Sequence, residues 1–271
     1  MNLWSIREAA ISSSFESLEA QNKWLAVATG EHLAFLDHAQ KHAMRALQLC
    51  PLQGKGYLHL SELAFLHGHD STRKAMIAQS LTVRPYDGAG LFSAGYEAIQ
   101  DGDLPNASAY FKQAFHHGPD IQGIIIESLA PQLHPEAFIA AFEPDWIGLQ
   151  KLFTYYRQSN QMELARIVGA YYTRSLESLA SSATRRESAR LWNLSQEAHG
   201  FLQQIPQAVH AARNAVAADP SNYQLNFLLA SRLQQAGAHQ EALEQFRWCQ
   251  RRRPKDQGVL ARLAQIEHQI R

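Results

Sequence analysis

Residues 85–119 read PYDGAGLFSAGYEAIQDGDLPNASAYFKQAFHHGP. Two apolar helical stretches flank the breaker Asp101-Gly102-Asp103, and a proline closes the run. Pro85 and Pro119 stand 34 residues apart, as do Pro51 and Pro85, and the interval returns between Pro220 and Pro254. A fixed period of this size marks a chain assembled from one supersecondary unit copied many times. The residues between the prolines keep step. Before Pro119 come Leu91, Gly95, Ala98, Ala107, Phe111 and Ala114; before Pro254 come Ala230, Leu233, Ala242, Phe246 and Cys249. Tyr57, Ser61, Ala64, Ile77 and Ser80 hold the matching places before Pro85, with Arg73 breaking the pattern. Small residues recur where two helices approach closely, and bulky ones where the gap must be filled.

Helical periodicity dominates the whole chain. An N-terminal helix is expected from about Trp4 towards Ala28, stopped by Gly30, followed by a partner helix with Leu33, Phe35, Leu36, Ala39, Ala43, Ala46 and Leu47 as its apolar positions and ending at Pro51. Breaks fall at His67-Gly68-His69-Asp70-Ser71, at Asp219-Pro220-Ser221-Asn222 and at Gly237. The middle is irregular. Short helices are expected at 121–129 and 135–142, then a helix capped by Asp145 with Leu149, Leu152, Phe153 and Tyr156, and a longer one from Met162 to about Leu179. Residues 258–271 form an amphipathic helix suited to cap an open end. The organisation expected is an N-terminal helix and three repeats over 1–121, degenerate repeats over 122–188, two repeats over 189–256 and a capping helix over 257–271, one continuous solenoid.

Composition narrows the function. Hydrophobic residues are 46% and charged residues 18% of the 271, which supports a long packed core. Lys plus Arg equals Asp plus Glu, 25 each, so the basic excess of a nucleic-acid binder is missing. The start lacks a basic segment followed by an apolar core, and no stretch approaches the ~20 apolar residues of a membrane span, so a cytoplasmic protein is expected. The two cysteines, Cys50 and Cys249, read as small buried helix residues. His38 and His42 stand at metal-compatible spacing, but without a third ligand they read as a solvent-facing pair. Arg247, Arg251, Arg252, Arg253 and Lys255 form the strongest charge cluster, expected to be solvated at a helix end, the alternative being contact with acidic lipid or an acidic partner. In each of the pairs Tyr155-Tyr156 and Tyr171-Tyr172, one ring should face the core and the other solvent or a ligand. Asp101 and Asp103 lie in an exposed turn, and no phosphate loop, nucleophile elbow or zinc-hydrolase helix occurs. No catalytic residue, cofactor or metal is expected.

A 34-residue helix–turn–helix period with small residues at fixed offsets and a closing proline resembles the tetratricopeptide repeat (TPR) family. The units ending at Pro119 and Pro254 carry the resemblance best, that ending at Pro220 follows through Trp192, Ala208, Ala212 and Ala215, and those ending at Pro51 and Pro85 are looser. The resemblance implies an all-α, right-handed superhelix of stacked helix pairs that holds a protein or peptide segment along a concave face lined by the first helix of each pair. The implied groove positions are Lys55, Leu58, Glu62, Phe65 and Leu66; Ala89, Phe92, Tyr96, Ile99 and Gln100; Asn193 and Glu197; and Gln224, Phe227 and Ser231. Leu58, Glu62, Phe92 and Tyr96 replace the Lys, Asn and Arg of a carboxylate clamp, which argues against that activity here. Phe92 and Tyr96, one turn apart, would anchor an apolar side chain; packing against neighbouring helices is the plainer alternative.

The phrases CPLQGKGYLHLSELAFL (50–66) and VRPYDGAGLFSAGYEA (83–98) also resemble repeat tails of bacterial membrane proteins of the O-antigen ligase or polymerase type. That resemblance implies an alternative: the soluble tail of a glycan-assembly protein of the inner membrane. The expected function is a non-enzymatic binding scaffold, and the sequence leaves partner and oligomeric state open.

Overall fold

A computed structural model describes residues 5, 6, 9, 10, 13, 15–30, 32–67 and 70–270. Among these residues the chain is all-α, and within each unit most consecutive helices pack on one another in chain order. Two compact units are formed, residues 1–129 and 130–271.

The first unit holds α1 (Leu18–Thr29), α2 (His32–Leu49), α3 (Gly54–Glu62), a 3-10 turn (Ala64–His67), α4 (Asp70–Val83), α5 (Gly88–Gln100), α6 (Leu104–His117) and α7 (Pro119–Leu129). The expected helix from Trp4 to Ala28 is broken. Ser17 is extended and its hydroxyl accepts from the Ala20 N–H at 3.1 Å, so a new helix begins at Leu18. Trp4 itself, Gly68 and His69 lie outside the described residues.

α3 is short because the chain turns at Leu63 into the 3-10 segment. That turn carries Leu63, Phe65 and Leu66 into a buried cluster with Leu25, Ile6 and Ala10. Gln21 Nε2 donates to the Phe65 carbonyl at 3.0 Å and satisfies backbone that a continued helix would have bonded.

The α5–α6 pair shows why the small residues recur. A Cβ on Gly95 would lie 2.8 Å from the Phe111 ring, and one on Gly88 would lie 2.5 Å from the Gly118 Cα. Both contacts are closer than side chains permit, so the helices cross at a distance only glycine allows. Asp87 and Asp103 cap the two helices, accepting from the N–H groups of Gly90 (2.9 Å) and Asn106 (3.2 Å).

The second unit holds α8 (Pro135–Phe142), α9 (Trp146–Gln158), α10 (Met162–Ser182), α11 (Arg185–Phe201), α12 (Ile205–Ala218), α13 (Tyr223–Gln235), α14 (His239–Arg252) and α15 (Gln257–Ile270). Asp145 caps α9 through the Gly148 N–H at 2.8 Å, and the turn after α9 uses Asn160 at φ 56°. The fully buried Tyr156 donates its hydroxyl to the Ala130 carbonyl at 3.2 Å. The alanine rule holds along this unit: Ala208, Ala212, Ala215, Ala230 and Ala242 are all buried, and Phe227 meets Phe246 edge-on at 5.6 Å between ring centroids.

The cysteines divide. Cys249 is buried, and that burial pushes its thiol up to about 11, whereas Cys50 follows the end of α2 and is exposed. The expectation of two buried cysteines fails at Cys50 because the helix ends before it.

Arg73, which breaks the small-residue pattern, is buried on α4. It stands 12 residues before Pro85, where Ala107, Ala208 and Ala242 stand before their own prolines. Its guanidinium pairs with the buried Glu97 carboxylate of α5 and reaches Gln100 Oε1 at 3.4 Å; the neighbouring Lys74 pairs with Asp101 at 2.5 Å. Breaking one side of a buried pair strands the other charge, whereas replacing both sides with apolar groups does not. Glu97→Leu alone should therefore lower unfolding free energy by about 3–5 kcal/mol. The double variant Arg73→Met/Glu97→Leu should recover most of that loss, as read by urea denaturation.

Candidate partner-binding surface

Groove positions in the first unit fall on α3 and α5. Lys55 and Glu62 are exposed, but Leu58 is 6% exposed and packs with Ile77 and Ala94. Leu58, and with it Phe65 and Leu66 in the 3-10 turn, serves the core and is withdrawn from the surface. The early end of α3 turns Phe65 and Leu66 inward, whereas Leu58 is covered from within α3 by Ile77 and Ala94.

α5 keeps the expected layout. Ala89 and Gln100 are exposed, Tyr96 is 39% and Ile99 44% exposed, and Phe92 is half-buried between solvent and core. Phe92, Tyr96 and Phe111 form a triangle of edge-to-face rings with centroids 4.9, 5.5 and 5.5 Å apart. Such geometry sets the negative face of one ring against the positive edge of the next. The outward Tyr96 is thus held by a buried ring, and Phe111 in turn needs the space Gly95 leaves. Of the two readings the sequence leaves, packing accounts for Phe92, which joins the buried Phe111, while Tyr96 stays partly exposed above it.

In the second unit the positions fall on α11 and α13 and, Phe227 apart, are polar. Asn193 Nδ2 donates to Glu197 Oε1 at 3.0 Å; Gln224 is exposed; Phe227 is half-buried; and the Ser231 hydroxyl turns back to the Phe227 carbonyl at 2.9 Å. Beside them on α9, the exposed Arg157 lays its guanidinium over the Phe201 ring at 4.1 Å and near Phe153 at 5.4 Å. Of the tyrosine pairs, Tyr156 and Tyr172 are buried while Tyr155 is half-buried and Tyr171 exposed, the division the sequence implies. Burial raises the Tyr172 hydroxyl to about 12, reinforced by Glu197 and opposed by Arg190.

Two buried polar seams escaped the sequence. Gln196 stands 24 residues before Pro220, where Ser61, Gly95 and Ala230 stand before their prolines. It is 1% exposed, and its Oε1 accepts from Arg232 Nε at 2.8 Å. Gly200 makes room for that arginine, since a Cβ there would meet the guanidinium at 2.3 Å. Burial, first of all, lowers the Arg232 pKa. In the second seam Glu177 Oε1 accepts from the Ser195 hydroxyl at 2.8 Å and meets His199 Nε2 at 2.8 Å, while His199 Nδ1 meets Gln204 Oε1 at 2.7 Å. A large polar residue at a small-residue offset was the available signal.

The basic cluster is organised rather than diffuse. Arg252 lies 3.6 Å over the Trp248 ring, Arg253 4.1 Å over Tyr223, and Arg247 3.5 Å from Glu267. The Tyr223 hydroxyl donates to Asp256 at 2.7 Å, and Asp256 also accepts from the Gly258 and Val259 N–H groups at 2.9 and 3.3 Å, capping α15. His38 and His42 are exposed on α2. Among the described residues no group of three or more His, Cys, Asp or Glu side chains is placed to hold a metal ion, and no helix is long and apolar enough to cross a membrane.

With the helix pairs and their surfaces in view, the chain resembles TPR proteins in its spacing and in its all-α, serially packed pairs. No family model matches the chain, and no curated protein matches it. Solved structures do. A chain of the Cut9-Hcn1 hetero-tetramer of the APC/C shares 13% identity at a TM-score of 0.39, over 97% of this chain and 51% of its own length. A thermophilic TPR protein of Thermus thermophilus shares 16% at 0.37, over 79% and 98%. PilW, a type IV pilus biogenesis factor, shares 14% at 0.38, over 89% and 97%. This chain thus spans about half the length of the matched Cut9-Hcn1 chain. At these TM-scores none of the three assigns it a partner or an activity.

Two outcomes follow from the geometry. Gly95→Ala should cost roughly 1–3 kcal/mol by forcing Phe111 off its seat, and the tyrosine near-ultraviolet dichroism should change with it while far-ultraviolet helicity persists. The Tyr223 hydrogen bond, then those from Val259 and Gly258, hold the Asp256 carboxyl below its usual value. A depressed folded-state pKa contributes stability above the unfolded value and loses it as pH falls through the folded one. Asp256→Asn keeps a capping side chain but removes the charge, so it should be less stable than the parent at pH 7. That gap should close as pH falls below about 4, as read by thermal melts across pH.

Proposed function

We propose that this chain is a non-enzymatic protein-binding scaffold that works in the cytoplasm and docks a partner segment along the first-helix faces of its pairs. The observation that carries this is the α5 surface, where Tyr96 and Ile99 present apolar area to solvent on a rigid aromatic base of Phe92 and Phe111. Rigid, partly exposed aromatic groups lose little entropy when covered, which makes them efficient anchors. Lys55 and Glu62 on α3 are exposed in the same unit and would serve as polar members of such a surface. Asn193, Glu197, Gln224, Phe227 and Ser231 give the second unit a hydrogen-bonding face suited to backbone and side-chain amides, with Phe227 as its apolar member. The partner is another protein or a peptide segment, held without cofactor or metal. Similarity to TPR proteins supports the scaffold class and leaves the partner open.

The test uses variants that spare the core. Phe92→Ala would loosen the α5–α6 packing as well as the surface, so Tyr96→Ala and Ile99→Ala are the informative changes. A partner isolated from native extract by the intact chain and purified should bind the double variant at least ~1–2 kcal/mol more weakly per anchor lost, by calorimetric titration, with helical content unchanged. Equal affinity of parent and variant would remove α5 from the interface.

A further inference from the structure

The second unit departs from the repeat in length as well as in sequence. α10 runs for 21 residues and α11 for 17, whereas α12 and α14 have 14 each. The C-terminal half of α10 and the first turns of α11 stand beside the start of α9 and enclose an open cleft of 580 Å³. Ligand sites in proteins commonly occupy about 300–1,000 Å³ and combine apolar walls with a few polar groups.

The walls of this cleft are mixed in a particular way. Trp146, half-buried in the first turn of α9, and Leu179, 41% exposed on α10, supply apolar surface, with the buried Leu191 behind them. Ser175, Ser178 and Ser182 follow one face of α10, three and four residues apart. Asp145 and Glu187 bring carboxylates from α9 and α11, and the Arg190 guanidinium lies 5.8 Å from the Trp146 ring centroid. Both signs of charge therefore meet at this cleft, the carboxylates in its lining and Arg190 beside its indole.

Each charged or purely apolar occupant meets an objection. An anion would face the two carboxylates, and a cation would meet Arg190 beside the Trp146 ring. An apolar molecule would strip water from carboxylates and hydroxyls without replacing their hydrogen bonds. A pyranose ring meets none of these objections. Its C–H face covers an indole or a leucine, and its hydroxyls donate to carboxylates and exchange hydrogen bonds with serines. We propose that this cleft, built by the lengthened α10–α11 hairpin, is a binding site for a neutral carbohydrate of one to three sugar units. It is separate from the faces assigned to protein docking and does not depend on them.

Isotope-labelled protein spanning residues 1–271 would be titrated with maltotriose, cellotriose and chitotriose, with glucuronate and spermidine as charged probes, following amide and indole N–H resonances by NMR. At least one neutral saccharide should shift Trp146 and residues 175–191 saturably, with Kd of about 1 mM or tighter. Trp146→Ala should weaken that binding at least tenfold. Ser178 is exposed, so Ser178→Trp should leave the far-ultraviolet dichroism intact while filling the cleft, with the same loss of binding. The proposal is overturned if no neutral saccharide shifts these resonances, if a charged probe does so in their place, or if Ser178→Trp binds as the parent does.

Discussion

Helix pairs in this chain pack closely enough that their crossing points have no room for an ordinary side chain. Gly95 beneath the Phe111 ring and Gly88 against Gly118 show the limit in the first unit, and the run of buried alanines from Ala208 to Ala242 shows it in the second. Close approach raises packing density and lets large rings such as Phe111, Phe115 and Phe246 fill the remaining space. The surfaces inherit their order from it. Tyr96 is held because Phe111 is held, and Phe111 is held because residue 95 is glycine.

Where the small-residue rule is broken, the break is answered by a partner on another helix. Arg73 takes the place of an alanine and Glu97 answers it; Gln196 takes the place of a glycine or alanine and Arg232 answers it. Glu97 and Arg232 stand at the same offset, 22 residues before Pro119 and Pro254. One position of the repeat unit thus supplies a charged side chain in both cases, as counter-charge to Arg73 in one and as hydrogen-bond donor to Gln196 in the other. A buried charge is tolerable only with such an answer, so these substitutions act in pairs.

The lengthened α10–α11 hairpin is the other departure, and it changes the surface rather than the core. Extra turns cannot be buried by helices of ordinary length, so they border a cleft. A repeat protein gains new surface most readily by lengthening one unit, because each unit contacts only its neighbours and the rest need not adjust.

Local signals and the spacing of prolines and small residues determined the all-α pairing, most helix boundaries, the break at Asp101-Gly102-Asp103, the cap at Asp145 and the division of each tyrosine pair into one buried and one outer ring. These follow from local chemistry and from a period repeated along the chain, both of which a linear sequence displays. Tertiary structure decided where that logic yields. The Ser17 cap splits the expected first helix; the 3-10 turn sends Phe65 and Leu66 into the core, and Leu58 packs from α3 against Ile77 and Ala94; the end of α2 exposes Cys50. It also decided that Arg73 and Gln196 could be buried, since their partners lie 24 and 36 residues away. Contacts between helices depend on which side chains fold into reach, and no periodicity records that.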